Sequence, residues 1–486
     1  MDATELKRLK EEFVSNLEGT TMLEISSVMG LTPVAVFFRL VLAAFLDQTQ
    51  GTKRSRTGKH RDSTKAAASS QSTLLDFLVI VMPTLYCMTH PEAVWPSILF
   101  FSVASAFLVL IAKRQWASDI LCFPCPSRHV LAGIASPKKP FLSKYRASMM
   151  LLTVIAILAV DFDIFPRRFG KAETFGTGLM DVGVGSFVVA NGVVSREARG
   201  VPTPPRGGLR RTSPLLLLGF ARLAATKAAG YQEHVGEYGT HWNFFFTLAA
   251  VELLTSAAPI GPGRAGLVGA VVLAGYQAVL SKSNLSEVLM SNHRGASLLS
   301  QNKEGVASAF GYWALYLLSV QLGRFFATSA AHAAQELAPG KTGESRESDL
   351  QAGRHWWRFA GKVWGLQLAL WVCTNLADAY IERVSRRSCN LAYVLWMLAF
   401  NLQAISMFVT FDLLLPPRSY SLLDAIDYNL LPIFLLGNLL TGLVNMSIDT
   451  LHTPRAHAFI ILTLYIGVVS WTAWVLHRTR VRLAFW

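Results

Sequence analysis

Residues 151–173 read "LLTVIAILAVDFDIFPRRFGKAE". The first ten are apolar apart from Thr153, long enough to close out a greasy helix. Then Asp161, Asp163, Arg167, Arg168, Lys171 and Glu173 crowd into thirteen residues. Two accounts fit that change. Either a helix leaves a membrane and its loop is simply wet, or the membrane edge holds a reaction site.

The rest of the chain supports the membrane half of both accounts. Of 486 residues, 52% are hydrophobic and only 16% charged, with a mean hydropathy of +0.37. Soluble domains carry about 25% charged residues. A bilayer-spanning helix needs roughly 20 mostly apolar residues. Runs of that kind fall near 26–46, 74–90, 95–112, 146–162, 178–195, 213–228, 241–258, 264–281, 305–323, 357–377, 390–414, 425–447 and 456–477. The expected fold is therefore an all-α, polytopic integral membrane protein of about thirteen helices in one bundle. It forms a single multi-pass domain over 1–486. Gly and Pro inside several runs are compatible with this, because neighbouring helices satisfy the freed backbone groups. The first twenty residues are polar and charged, unlike a signal-peptide core.

The net charge of +14 would raise nucleic acid in a soluble protein. Here the bilayer accounts for it, because basic residues favour cytoplasmic loops, and no nucleic-acid partner is expected. One set of alternate loops carries about twice the Lys and Arg of the other set. That set includes 48–73, 196–212 and 331–354, which read as variable polar linkers. The vote puts them and the C-terminus in the cytosol, and the N-terminus on the opposite face. Cys122 and Cys125 form a lone CxxC, short of the four ligands a structural zinc site needs. Cys87 and Cys389 both fall near the non-cytosolic face, where a disulfide is chemically allowed.

The non-cytosolic loops are dense in acids, bases, amides and aromatics: "DFDIFPRRFGKAETFGTG", "YQEHVGEYGTHWNFFF", "SKSNLSEVLMSNHRGASLLSQNKEG" and "DAYIERVSRRSCN". Carboxylates at membrane depth are expensive and are usually paired or functional. Asp161 is thus a candidate general base toward a hydroxyl; the plainer account is contact with interfacial water. Arg167 and Arg168 could grip a phosphate through their guanidinium forks, or merely anchor the loop among headgroups. Lys171 could stabilise an oxyanion or sit at the surface as an ordinary lysine. In the block from Tyr231 to Asn243, His234 and Glu237 are three apart, and Glu237 and His241 four apart. The H-E-x-x-H pattern is missing, so acid–base work or hydroxyl binding is favoured over metal, with helix-end packing as the plain alternative. Glu304 suits a helix N-terminus, which leaves Asn302 and Lys303 unaccounted for. No phosphate-binding G-x-x-x-x-G-K-[ST] loop and no G-x-S-x-G elbow occurs.

Five longer blocks carry a resemblance. They are "KEEFVSNLEGT" (10–20), "DFDIFPRRFGKAETFGTGLMDVGVGSFVVANGVVS" (161–195), "YQEHVGEYGTHWNFFFTLA" (231–249), "SQNKEGVASAFGYWALYL" (300–317) and "NLLTGLVNMSIDT" (438–450). In these the chain resembles the inositol acyltransferases of glycosylphosphatidylinositol (GPI) anchor synthesis, PIG-W in animals and GPI-anchored wall transfer protein in fungi. The resemblance implies a thirteen-helix protein of the endoplasmic reticulum membrane. It implies transfer of a fatty acyl group, palmitoyl above all, from acyl-CoA to the inositol of glucosaminyl-phosphatidylinositol. It assigns the catalytic pair to Asp161 and Lys171. Substrate binding would then fall to Arg167, Arg168, His234, Glu237, His241, Asn243, Asn302 and Lys303. Acyl-CoA is a co-substrate, and neither a resident cofactor nor a metal is expected. A lipid or solute transporter, or flippase, using the same charged groups is the alternative, and a non-catalytic subunit of a membrane complex is a third. Transporter halves usually repeat, and no repeat is visible.

Overall fold

A computed structural model describes residues 8–9, 11–13, 15–54, 71–111, 128–136, 139–201, 207–228, 235–258, 260–261, 263–336, 346–415 and 421–483. Among these the architecture is all-α, with one isolated bridge between Gly19 and Thr177. The principal helices are α1 (Met22–Arg54), α2 (Gln71–Thr89), α3 (Val94–Ile111), α4 (Pro140–Ala159), α5 (Val182–Val193), α6 (Gly207–Ala228) and α7 (Phe244–Ala257). They continue with α8 (Ala265–Lys282), α9 (Lys303–Glu336), α10 (Arg346–Tyr380), α11 (Leu391–Leu414), α12 (Leu430–Ser447) and α13 (Arg455–Arg478).

Nine of these helices are long and apolar enough to cross a membrane among the described residues. Leu179–Val193 and Phe244–Ala257 are apolar but shorter, and α6 and α10 are diluted by charge. The loop expected over 331–354 is narrower than its polarity implies. Helix α9 runs on to Glu336 and α10 starts at Arg346. "ATSAAHAAQE" is rich in alanine, the best helix former, so helical propensity carries α9 beyond its apolar stretch.

Helix α11 forms the axis of the bundle. It is apolar on every side and buried along its length, packed by α1, α4, α5 and α10. A helix without a polar face belongs in an interior. The outer helices show the reverse: Leu99, Phe107 and Leu110 on α3, Leu267 on α8, Val372 on α10, and Leu464 and Trp471 on α13 are exposed. Such a belt is unfavourable in water and natural in lipid. Lipid tails remove the hydrophobic drive between helices, so close packing of small residues substitutes for it. At the α5–α9 contact, a side chain on Gly323 would lie 2.3 Å from the Val193 carbonyl oxygen.

Chain direction fixes which loops meet. Helix α4 ends, and α5, α9, α11 and α13 begin, at one end of the bundle. The segment before α1 lies there too, since Thr20 N–H donates to the Thr177 carbonyl at 2.6 Å and Glu173 N–H to the Leu17 carbonyl at 3.0 Å. The C-terminal segment lies at the other end, where Asn429 donates to the Val481 carbonyl at 3.0 Å. Three buried or half-buried ion pairs also stand toward that second end: Arg39–Asp76, Lys144–Asp412 and Arg146–Asp427. Cys87 and Cys389 are buried free thiols.

Candidate active site

The loop of residues 160–181 is built around one guanidinium. Arg167 gathers the carbonyls of the turns that follow α4, donating to Val160 at 3.0 Å, to Phe162 at 2.9 Å and to Phe165 at 2.8 Å. Its plane stacks 3.9 Å from the Phe13 ring. Burial draws its pKa down to about 10, with Asp163 and Asp161 pulling the other way, so it stays cationic at neutral pH. Arg168 points elsewhere, forking onto the Glu24 carboxylate at 2.9 and 3.1 Å, and remains half-exposed. Of the two arginines read as a phosphate grip, one is committed to the backbone and the other keeps a free side.

Asp161 is only 7% exposed. Asn445 donates its side-chain amide N–H to Asp161 Oδ2 at 2.7 Å, and the Thr450 hydroxyl donates to Asn445 Oδ1 at 3.3 Å. The carboxylate is thereby aimed by the last turns of α12, with Thr450 of the following loop behind the amide. Asp163, two residues on, pairs with Arg455 at the surface.

Lys171 belongs to a separate chain of charges. Its Nζ meets Glu237 Oε2 at 2.6 Å, and the other Glu237 oxygen accepts from Arg386 at 2.9 Å. Arg386 Nε then donates to Asp181 Oδ1 at 2.9 Å. The second Asp181 oxygen closes the loop by accepting from Ala172 N–H at 3.0 Å and Gly178 N–H at 2.8 Å. Gly178 must lack a side chain, since a Cβ would stand 1.8 Å from the Gly170 carbonyl oxygen. Exposure grades along the chain: Asp181 0%, Arg386 4%, Glu237 12% and Lys171 35%. Lys171 is therefore the open end of an otherwise buried network. Burial works against the Arg386 charge, but Glu237, Tyr238 and Asp181 outweigh it and lift its pKa well above the ordinary value.

Beside this lies a second buried cluster. Glu304 receives a bidentate fork from Arg294 at 2.7 and 2.9 Å and a bond from Arg387 at 3.1 Å. Adjacent residues Arg386 and Arg387 thus rivet the two clusters together. Asn302 accepts from the His241 backbone N–H at 2.8 Å, and His241 Nε2 meets Gln301 at 3.2 Å. Lys303 is held by the carbonyls of Val288, Ser291 and His293. Asn243 caps α7, accepting from Phe245 N–H at 3.0 Å, while its own amide donates to Gly219 of α6 at 2.9 Å. His234 lies outside the described residues. Expected result: Asn243→Ala lowers stability by about 1–2 kcal/mol through loss of the cap, seen as an earlier thermal transition in detergent. An unshifted transition would deny the cap its structural weight.

The candidates therefore sort by what they touch. Lys171 and Arg168 keep a face toward the loop surface, and the Asp161 carboxylate is positioned by Asn445. Arg167, Asn243, Asn302 and Lys303 spend their polar atoms on the scaffold. The sequence does not single out Asn445, Asp181, Arg386 or Arg387, and it marks Glu304 only as suited to a helix N-terminus. Asn445 does stand inside the 438–450 block, and the two arginines inside "DAYIERVSRRSCN".

Fold and site together define a polytopic helical membrane protein whose polar loops interlock over one end of the bundle. Residues 6–476 match the GWT1 family, and the chain belongs to it. It is 42% identical to an uncharacterized Arabidopsis thaliana protein, over 89% of this chain and 94% of that one. It is 30% identical to the phosphatidylinositol-glycan biosynthesis class W protein of Dictyostelium discoideum, over 98% of both chains. It is 34% identical to GPI-anchored wall transfer protein 1 of Aspergillus fumigatus, again over 98% of both.

Proposed function

We propose that this protein acts in GPI-anchor biosynthesis as an inositol acyltransferase. It moves a fatty acyl group, palmitoyl above all, from acyl-CoA to the inositol of glucosaminyl-phosphatidylinositol in the endoplasmic reticulum membrane. The names of its relatives support the pathway. The observation that carries the chemistry is the buried Asp161 carboxylate, aimed by the Asn445 amide, on the same loop as the Lys171 ammonium.

In the reaction, Asp161 takes the proton of an inositol hydroxyl as that oxygen bonds to the thioester carbonyl carbon. Lys171, oriented by Glu237, stabilises the negative charge on the tetrahedral intermediate. Collapse breaks the C–S bond, and the proton passes from Asp161 to the departing sulfur, releasing CoA as the free thiol. Asn445 positions the base, and Arg386 and Asp181 position Lys171 through Glu237 and the loop backbone. Arg168 faces the lipid phosphate and Arg167 braces the loop beneath it, while His241, Asn243, Asn302 and Lys303 hold the neighbouring loops in place.

The test is direct. Purified full-length protein, palmitoyl-CoA and glucosaminyl-phosphatidylinositol are expected to give acylated lipid and one thiol per acyl group transferred. Absence of both products under conditions where the protein remains folded would overturn the reading. Orientation has its own check. Accessibility labelling should find residues 48–73 and 331–354 on the cytosolic face and residues 161–177 on the lumenal face, with the N-terminus lumenal and the C-terminus cytosolic. Labelling of 161–177 from the cytosol would reverse the assignment.

A further inference from the structure

Below the Asp163–Arg455 pair the bundle carries a cleft of about 620 Å³ between α2, α3 and α13. Leu78, Met82, Tyr86, Pro96, Phe101 and Phe459 line it. Its polar wall is Ser97, whose oxygen already accepts from the Cys87 thiol. The cleft lies beside the lipid-facing side chains of α3, so it opens toward hydrocarbon.

Its upper rim is a different surface. The His90 ring stacks on Tyr86 at 4.5 Å and meets Phe459 edge-on, closing the apolar part. Arg455 stands one turn above Phe459 on α13. It is 75% exposed, with Nε on Asp163. Arg168 approaches from the other side, paired with Glu24 of α1 and within electrostatic reach of Glu92, next to the cleft residue Ala93. Two guanidiniums, each tied by a carboxylate on one side and open on the other, thus flank the mouth of an apolar groove at the membrane edge.

We propose that this cleft is the acceptor-lipid site: a phosphatidylinositol-type lipid lays a tail between α2, α3 and α13 and sets its phosphate against Arg168 and Arg455. The lipid's identity rests on the acyltransferase reading; the site rests on the cleft and its rim. The shape favours a membrane lipid over the acyl donor. A phospholipid reaches a laterally open groove by diffusing within its leaflet with its head in the interface, and its single phosphodiester suits guanidinium forks at the rim. In this arrangement Arg455 supplies the second guanidinium that Arg167, committed to carbonyls, does not.

The experiment uses full-length protein in phosphatidylcholine nanodiscs with phosphatidylinositol bearing a photoactivatable group in its acyl chain, so no turnover is needed. Cross-links are expected on Met82, Tyr86 or Phe459, and unlabelled phosphatidylinositol should compete for them while extra phosphatidylcholine should not. Arg455→Gln is expected to weaken labelling roughly tenfold, the scale of one charge-assisted hydrogen bond. This side chain is too exposed for its loss to unfold the bundle. Ser97→Phe, which fills the groove, should do the same. Labelling elsewhere, labelling competed equally by phosphatidylcholine, or labelling indifferent to Arg455→Gln would each overturn the site. If labelling is selective while acyl transfer fails, the lipid site stands and the catalytic reading falls.

Discussion

Asp161→Asn is expected to cut acyl transfer roughly 10²–10⁴-fold, the usual scale for removing a general base. The substitution changes little else. The amide has the size of the carboxylate, and its oxygen can still accept from Asn445, which now donates at 2.7 Å. If Asp161 only marks the end of α4, replacing a charge at the bilayer edge by a neutral amide should be harmless or mildly stabilising. The two accounts thus predict opposite outcomes from one variant. Lys171→Ala should be comparably damaging. The double variant should be little worse than either single one, since groups that act as a unit are non-additive. Turnover at matched protein levels, read beside the thermal transition, decides the matter. Near-normal turnover in Asp161→Asn would return the carboxylate to a helix-end role.

Where a span is bounded by polar residues its ends were legible, because apolarity along a chain is a local property. The run expected at 390–414 is Leu391–Leu414, and that at 456–477 is Arg455–Arg478. Partners were not legible, because they are set by the tertiary fold. Arg386 reaches Asp181 across 205 residues, and no spacing rule connects them. Arg167 shows the same limit from the other side. Its position after Pro166 suits a headgroup contact, yet the carbonyls of the turns just after α4 draw the guanidinium inward. Lys303 is similar, with three carbonyls around its ammonium. Residue type thus located the site loops, while the division between working groups and supporting groups needed coordinates.

The supporting groups should be the more costly to remove. Arg386→Met is expected to destabilise the protein by about 3–5 kcal/mol, the range for removing one partner of a buried ion pair. Asp181, with no exposed surface, would keep two backbone donors but lose its counter-charge, and Glu237 would lose its buried cation while keeping the Lys171 pair. Arg386→Lys separates charge from shape. A single ammonium supplies the positive charge, but it cannot reproduce separate Nε and terminal N–H bonds to two carboxylates on different loops. That variant should recover part of the stability while turnover stays low, because the Glu237 anchor of Lys171 would still be loose. Pairing Arg386→Met with Asp181→Asn should be milder than the sum of the two changes, since the second removes a charge that the first leaves uncompensated. Thermal unfolding in detergent and acyl transfer, measured on the same preparations, separate these effects. An unchanged transition in Arg386→Met would mean that the Asp181–Arg386–Glu237 chain does not hold the loop. The orientation of Lys171 would then have to come from Glu237 alone.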